Sequence, residues 1–223
     1  MRKFFSMILA VALPCAIFTS CNDDDDDEPK GTTPDVPEET VDPYASVDLG
    51  LSILWAEYNV DATKAEDYGG YYAWGETEQK ETYTEGNYSF CDADGNYSLP
   101  GDISGTDYDV AHVKWGGDWR MPTSAECQEL VNNCTWVRNS LNGINGYTVT
   151  GPNGNSIFLP AAGYKVNSAT PSYEGDNGSY WTSNPNVQSD GDAYYIVMGS
   201  RYRVDYSWAF AGQSVRPVKT AKK

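Results

Sequence analysis

Apolar positions along the chain change period several times, and each change predicts an element. From 123 to 134 the apolar or sulfur-bearing positions 127, 130, 131 and 134 follow the i, i+3, i+4, i+7 spacing of one helix face. Thr123 with Glu126 reads as a capping box, so a helix is expected over 123–134. Beyond it the period shortens. Short apolar stretches at 136–141, 147–150 and 156–159 are separated by Asn142-Gly143, Asn145-Gly146 and Asn153-Gly154, dipeptides that favour hairpin turns. Residues 193–198 are apolar and Gly199-Ser200 marks a turn. Tyr202, Val204, Tyr206, Trp208 and Phe210 then alternate with Arg201, Arg203, Asp205, Ser207 and Ala209, giving a strand with one aromatic face and one polar face. A last strand is expected over 214–218, with Pro217 arguing for an edge or a strand end. Upstream, 53–60 and 71–74 are strand candidates and 107–113 is a candidate short helix. The pattern predicts an α+β fold, strand-rich, with one well-defined helix and long loops.

The N-terminus follows a different logic. Arg2 and Lys3 precede a short apolar core over 4–18 that Pro14 interrupts. A bilayer needs about 20 apolar residues, so the stretch reads as a signal peptide rather than a span. Its ending, Thr19-Ser20-Cys21, resembles a lipobox, which implies a signal peptide over 1–20 and lipidation of Cys21. The plainer alternative is an ordinary secretory signal with an incidental cysteine. Residues 21–42, with aspartate at 23–27 and then Glu28, Pro and Thr, cannot build a core and read as an acidic, disordered tether. An acidic run after an anchoring cysteine resembles the export tag of Bacteroidetes-type lipoproteins, implying an outer-membrane lipoprotein exposed at the cell surface; a simple spacer is the alternative. The folded domain is expected over 43–219, with a tail at 220–223.

Charge then narrows the partners. The formal charge of −17 makes nucleic acid and anionic lipid poor partners for the surface, so membrane association would run through the lipid on Cys21. Of the five cysteines only Cys91, Cys127 and Cys134 fall in the expected domain, too few for a disulfide scaffold. Cys127 and Cys134 would lie roughly 10 Å apart along the helix axis, too far to pair. They read as buried thiols, or Cys91 pairs with one of them.

Catalytic chemistry is sparse. His112 is the only histidine, which excludes a multi-histidine metal site and leaves a nucleophile–histidine pair with one candidate base. Its place in a short helix favours a structural role. Glu76, Glu78 and Glu81 could form a carboxylate pair, but neighbouring carboxylates are expected in so acidic a chain. Asp92, Asp94 and Asn96 alternate as in the first half of a calcium loop. Gly95 stands at the fourth place rather than the sixth and no glutamate closes the loop, so an Asp-Gly-Asn turn is the simpler reading.

Six blocks occur together and in order: Val47-Asp-Leu-Gly-Leu-Ser-Ile-Leu-Trp55, Tyr68-Gly-Gly-Tyr-Tyr-Ala-Trp-Gly-Glu76, Trp115-Gly-Gly-Asp-Trp-Arg-Met-Pro-Thr123, Phe158-Leu-Pro-Ala-Ala-Gly163, Gly178-Ser-Tyr-Trp-Thr-Ser183 and Ser214-Val-Arg-Pro-Val218. With them the chain resembles the Fibrobacter succinogenes major paralogous domain family, abundant in Bacteroidetes lipoproteins. That family is similar to C-type-lectin-like folds, a group that also holds sulfatase-modifying enzymes and hypervariable receptors diversified by retroelements. The resemblance implies a C-type-lectin-like architecture more firmly than any activity. Sulfatase-modifying enzymes use a late cysteine pair, and no cysteine follows Cys134. The Glu-Pro-Asn loop through which C-type lectins bind sugar with calcium is missing too, so no cofactor is expected, with calcium at the Asp92, Asp94, Asn96 loop as the alternative.

What the resemblance leaves is binding, of a glycan or a protein, by the loops between about 177 and 208. Tyr173, Tyr180, Trp181, Arg201, Tyr202, Tyr206 and Trp208 are the candidate ligand residues. Trp181 lies inside a family block and Trp208 on an alternating apolar face, so core packing competes with binding at both. Arg120 and Arg216 read as internal, charge-paired or carbonyl-bound. The rival roles are a structural subunit or tip of a surface assembly and a hypervariable receptor.

Overall fold

The computed structural model describes residues 44–221. Cys21, the signal peptide and the tether lie outside the described residues. The protein is a strand-rich α+β fold built on three small antiparallel sheets.

The two ends of the domain share one sheet. β1 (Ser46–Asp48) pairs with β2 (Ile53–Ala56), and β2 pairs with β9 (Val218–Thr220). Trp55 stands opposite Val47 on one side and Val218 on the other, and is buried. With β2 between them, the first and last strands share this sheet, which ties both ends of the domain into one core.

Two helices precede the second sheet. α1 (Val110–Trp115) starts later than the expected 107–113 because Asp109 is its cap: one carboxylate oxygen accepts from the N–H groups of Ala111 and His112. The other oxygen accepts from Gly105 and Met121, so a buried carboxylate staples three segments. α2 (Ser124–Asn133) agrees with the expected helix, with the Thr123–Glu126 capping box in place. Arg120 grips Glu126 through two N–H donors, at 2.8 and 2.5 Å. Cys127 and Leu130 are buried on the inner face of α2, with Val131 and Cys134 packed beside them.

β3 (Thr135–Leu141), β4 (Ile144–Thr150) and β5 (Ser156–Pro160) form a meander. Asn142 and Gly143 both take positive φ, 49° and 87°, as a tight hairpin turn requires. Gly154 turns the next corner at φ 89°. Asn145-Gly146 does not turn; it lies inside β4. A Cβ on Gly146 would sit 2.4 Å from the carbonyl oxygen of Leu159, so this glycine serves close strand approach.

β6 (Gly178–Pro185), β7 (Asp192–Met198) and β8 (Tyr202–Trp208) make the third sheet, in that order, with β8 at its edge. β6 bulges between Trp181 and Pro185. On its other side β6 meets the 214 region through a Tyr180–Ser214 bridge.

The expected strands at 53–60, 71–74 and 214–218 are shorter or absent. β2 stops at Ala56, 71–74 contributes one bridge at Tyr72, and the last strand begins only at Val218. Residues 71–76 are buried, yet their backbone bonds are divided: Tyr72 exchanges bonds with Gln213 while Trp74 donates to Ala209. Side chains replace the ladder. Trp74 Nε1 donates to the Thr182 carbonyl and Trp181 Nε1 to the Tyr72 carbonyl, each at 2.8 Å, and Tyr88 Oη donates to the Trp74 carbonyl. Aromatic burial with a satisfied polar tip thus orders a long segment that lacks regular structure.

Candidate functional site

β8 sits at the sheet edge because, among the described residues, only β7 pairs with it. The register sets Tyr202 opposite Met198, Val204 opposite Ile196, Tyr206 opposite Tyr194 and Trp208 opposite Asp192. Met198 and Ile196 belong to the core that α2 covers, and Val204 packs against it. The other aromatic positions of the same face stay open: Tyr202 is 40% exposed, Tyr206 54% and Trp208 55%.

Alternation predicted an apolar face on β8, and core packing was one outcome for Trp208. The structure corrects that outcome, because the ring opposite Asp192 lies at the surface. Two of the rings are nonetheless held. Tyr202 stacks on Trp136, centroids 4.8 Å apart and planes at 10°, and Trp208 stacks on Phe210 at 5.5 Å and 9°. Stacking fixes ring orientation while leaving the far face open, which lowers the entropy lost when a ligand docks.

The opposite face of β8 is polar. Arg203 donates to one carboxylate oxygen of Asp205, at 2.9 and 2.5 Å, while the second oxygen accepts from the Tyr206 N–H. Arg201 is exposed and forms no ion pair among the described residues. The strand thus offers aromatic faces, one paired guanidinium and one free guanidinium.

Three other candidates part from this group. Tyr180 is buried in the core, not available at the surface: Oη donates to the Pro160 carbonyl at 2.7 Å, and burial pushes its phenol up to about 12. Trp181 is buried beside it, bonded to Tyr72. Both positions therefore leave the ligand set. Tyr173 is 57% exposed, but it lies on the loop before β6, tilted against Tyr164.

The internal arginines are where the sequence put them. Arg216 is buried and donates to Asn59 Oδ1 and to the carbonyls of Ala56, Glu57 and Phe158, between 2.7 and 3.1 Å. Burial lowers its guanidinium to about 10.

The Asp92, Asp94, Asn96 stretch forms a turn. Asp92 Oδ1 accepts from the N–H groups of Asp94 and Asn96 at 2.9 Å, and bonds from Asn96 hold its carboxyl below the ordinary value. Among the described residues no three His, Cys, Asp or Glu side chains gather to hold a metal. His112 is half-buried on α1, with Nδ1 3.3 Å from the Trp119 carbonyl. Cys91, Cys127 and Cys134 are all free thiols.

Comparisons with protein-family models, curated proteins and solved structures give no match. The functional case therefore rests on the residues themselves. Sequence reasoning found the β8 aromatics but missed Trp136 and Phe210 as their supports. Phe210 continues the alternation and could have been read from it. Trp136 comes from another sheet, which a period within one strand cannot signal.

Proposed function

We propose that this chain is a lipid-anchored, surface-displayed binding module, non-catalytic and of C-type-lectin-like architecture, taking a glycan or protein ligand on the β8 face. The observation that carries the reading is the contrast along one strand face: Val204 packs into the core while Tyr202, Tyr206 and Trp208 remain open. Grouped exposed rings, two of them pinned by stacking, are the usual anchors of sugar and protein recognition. The commitment of His112 to a backbone carbonyl supports a non-catalytic role. The six sequence blocks support the family resemblance, and the N-terminal lipobox-like ending supports an anchor at Cys21.

A second reading, a subunit of a surface assembly, draws on the outer edge of β8, where the backbone makes no ladder to a further strand among the described residues. A glycan and protein array probed with the purified chain, with and without a calcium chelator, tests the first reading. Saturable, chelator-insensitive binding supports it. Blank arrays together with concentration-dependent self-association would favour the assembly role.

A further inference from the structure

An open cleft of about 400 Å³, lined by no β8 residue, lies in the long irregular segment before α1, among residues 75–78, 80, 89–90 and 107–108. Its size suits a small ligand or one side chain. Two of its walls are rings: Phe90 and Tyr108 meet edge to face, centroids 5.5 Å apart, and Tyr108 is 46% exposed. Gly75 borders it at φ 78°, and a Cβ there would come 2.9 Å from the Phe90 ring, so no larger residue fits without moving that wall.

The charges around the cleft are unequal in commitment. Lys80 is its only cation among the described residues, bound at 2.5 Å to Glu76 and at 2.6 Å to the Asn87 carbonyl. Glu76 is buried, and its other oxygen accepts from the Ser89 N–H and hydroxyl. Glu78 and Asp107 are exposed and carry no hydrogen bond or ion pair among the described residues. The cleft thus presents aromatic walls and two free carboxylates, with its one positive charge already neutralised. An anion finds no free donor charge there, and a hard metal ion finds ring walls where oxygen ligands are needed.

We propose that this cleft binds an organic cation, an ammonium or guanidinium on an apolar stem, held by the Tyr108 and Phe90 rings and by Glu78 and Asp107. Ring faces attract such a cation and the carboxylates complement its charge. The source is a free amine or a Lys or Arg side chain of a basic peptide.

The test titrates the full chain with Nα-acetyl-lysine amide, with its neutral norleucine counterpart, and with a short lysine-containing peptide, following backbone amide shifts. The lysine probe is expected to saturate, with shifts centred on Gly75, Thr77, Ser89 and Tyr108, while the norleucine probe does not. Tyr108→Ala weakens binding about fivefold and Tyr108→Phe preserves it, as loss or retention of a ring face dictates. Glu78→Gln with Asp107→Asn weakens it further. A stronger response to the peptide than to the amide assigns the site to a protein partner; equal responses assign it to free amines. Equal binding of the norleucine probe, shifts scattered over the acidic surface, or indifference to Tyr108→Ala would overturn the proposal. These residues are separate from those of β8, so failure here leaves the β8 reading to its own test.

Discussion

Tyr202 at the start of β8 lies flat against Trp136 of β3, the ring centroids 4.8 Å apart and the planes 10° from parallel. This contact joins the edge of one sheet to another sheet, and it explains why Tyr202 is the least exposed of the three open rings. Tyr206 has no stacking partner among the described residues. Tyr202→Ala is therefore expected to cost about 1 kcal/mol through the lost stack and contact area, and Tyr206→Ala within about 0.5 kcal/mol. Urea midpoints of the two variants check the order.

The buried candidates follow the opposite rule. Trp181 packs in the core and bonds Tyr72, so Trp181→Ala should cost about 3–5 kcal/mol and lower the folded yield. A Trp181→Ala protein as stable as the parent would show that the core has been misplaced. Thermal melts of this variant beside Trp208→Ala make the comparison.

Arg216 is the next core dependency. Its guanidinium satisfies four oxygen acceptors, three in buried bonds and the Glu57 carbonyl in a part-buried one, with no carboxylate among them. Arg216→Met leaves those acceptors unpartnered and should cost about 3–5 kcal/mol. Arg216→Lys rescues little of this, because one ammonium cannot span the positions a planar fork reaches. Equilibrium unfolding of the two variants measures the difference.

Acid should act through Glu126. Burial raises its pKa, but the bonds from Arg120 and Thr123 outweigh burial and hold the carboxyl below its ordinary value of 4.5. The folded state therefore holds this proton less readily than the unfolded state, so the contribution is complete above 4.5 and is lost as pH falls through the lowered value. At pH 7 Glu126→Gln should cost about 1–2 kcal/mol, and that gap should narrow below pH 4.5. Asp109 acts in the other sense. Burial raises its carboxyl above 3.8 despite four backbone donors, so the folded state takes up this proton first and gains stability as pH falls through the raised value. Urea midpoints of the parent, Glu126→Gln and Asp109→Asn, taken from pH 6 to pH 3, separate the two.

The thiols give a direct check on burial. Cys127 is fully enclosed and burial raises its pKa well above the ordinary value, while burial lifts Cys134 to about 11. At pH 8 a thiol reagent should label Cys91 first, Cys134 slowly and Cys127 only on unfolding. Mass spectrometry of the labelled peptides reads that order; early labelling at Cys127 would contradict the packing of α2.

Local physics made part of this fold legible in advance. The Thr123–Glu126 box, the i, i+4 apolar positions of α2 and the Asn142-Gly143 turn each involve residues within one turn of chain, and each appears as expected. Asn145-Gly146 misled because the same dipeptide that permits a turn also permits close strand approach, and only the position of Leu159 decides between them. No strand forms at 71–74 for a related reason: its backbone bonds go to Gln213 and Ala209, far along the chain. At the candidate site, alternation found the aromatic face of β8 but not its exposure. That depends on how far α2 and its core extend beneath the strand, which no pattern within β8 encodes.

The most direct test of the central claim compares the parent chain with a Tyr206→Ala, Trp208→Ala double variant on the same glycan and protein array, with melting temperatures measured alongside. The account predicts that the parent binds saturably and that the double variant melts within a few degrees of it but loses binding about tenfold or more, as expected when anchor rings are removed from a contact surface. Binding that survives the double substitution in a folded protein would contradict the claim and move the ligand site off β8.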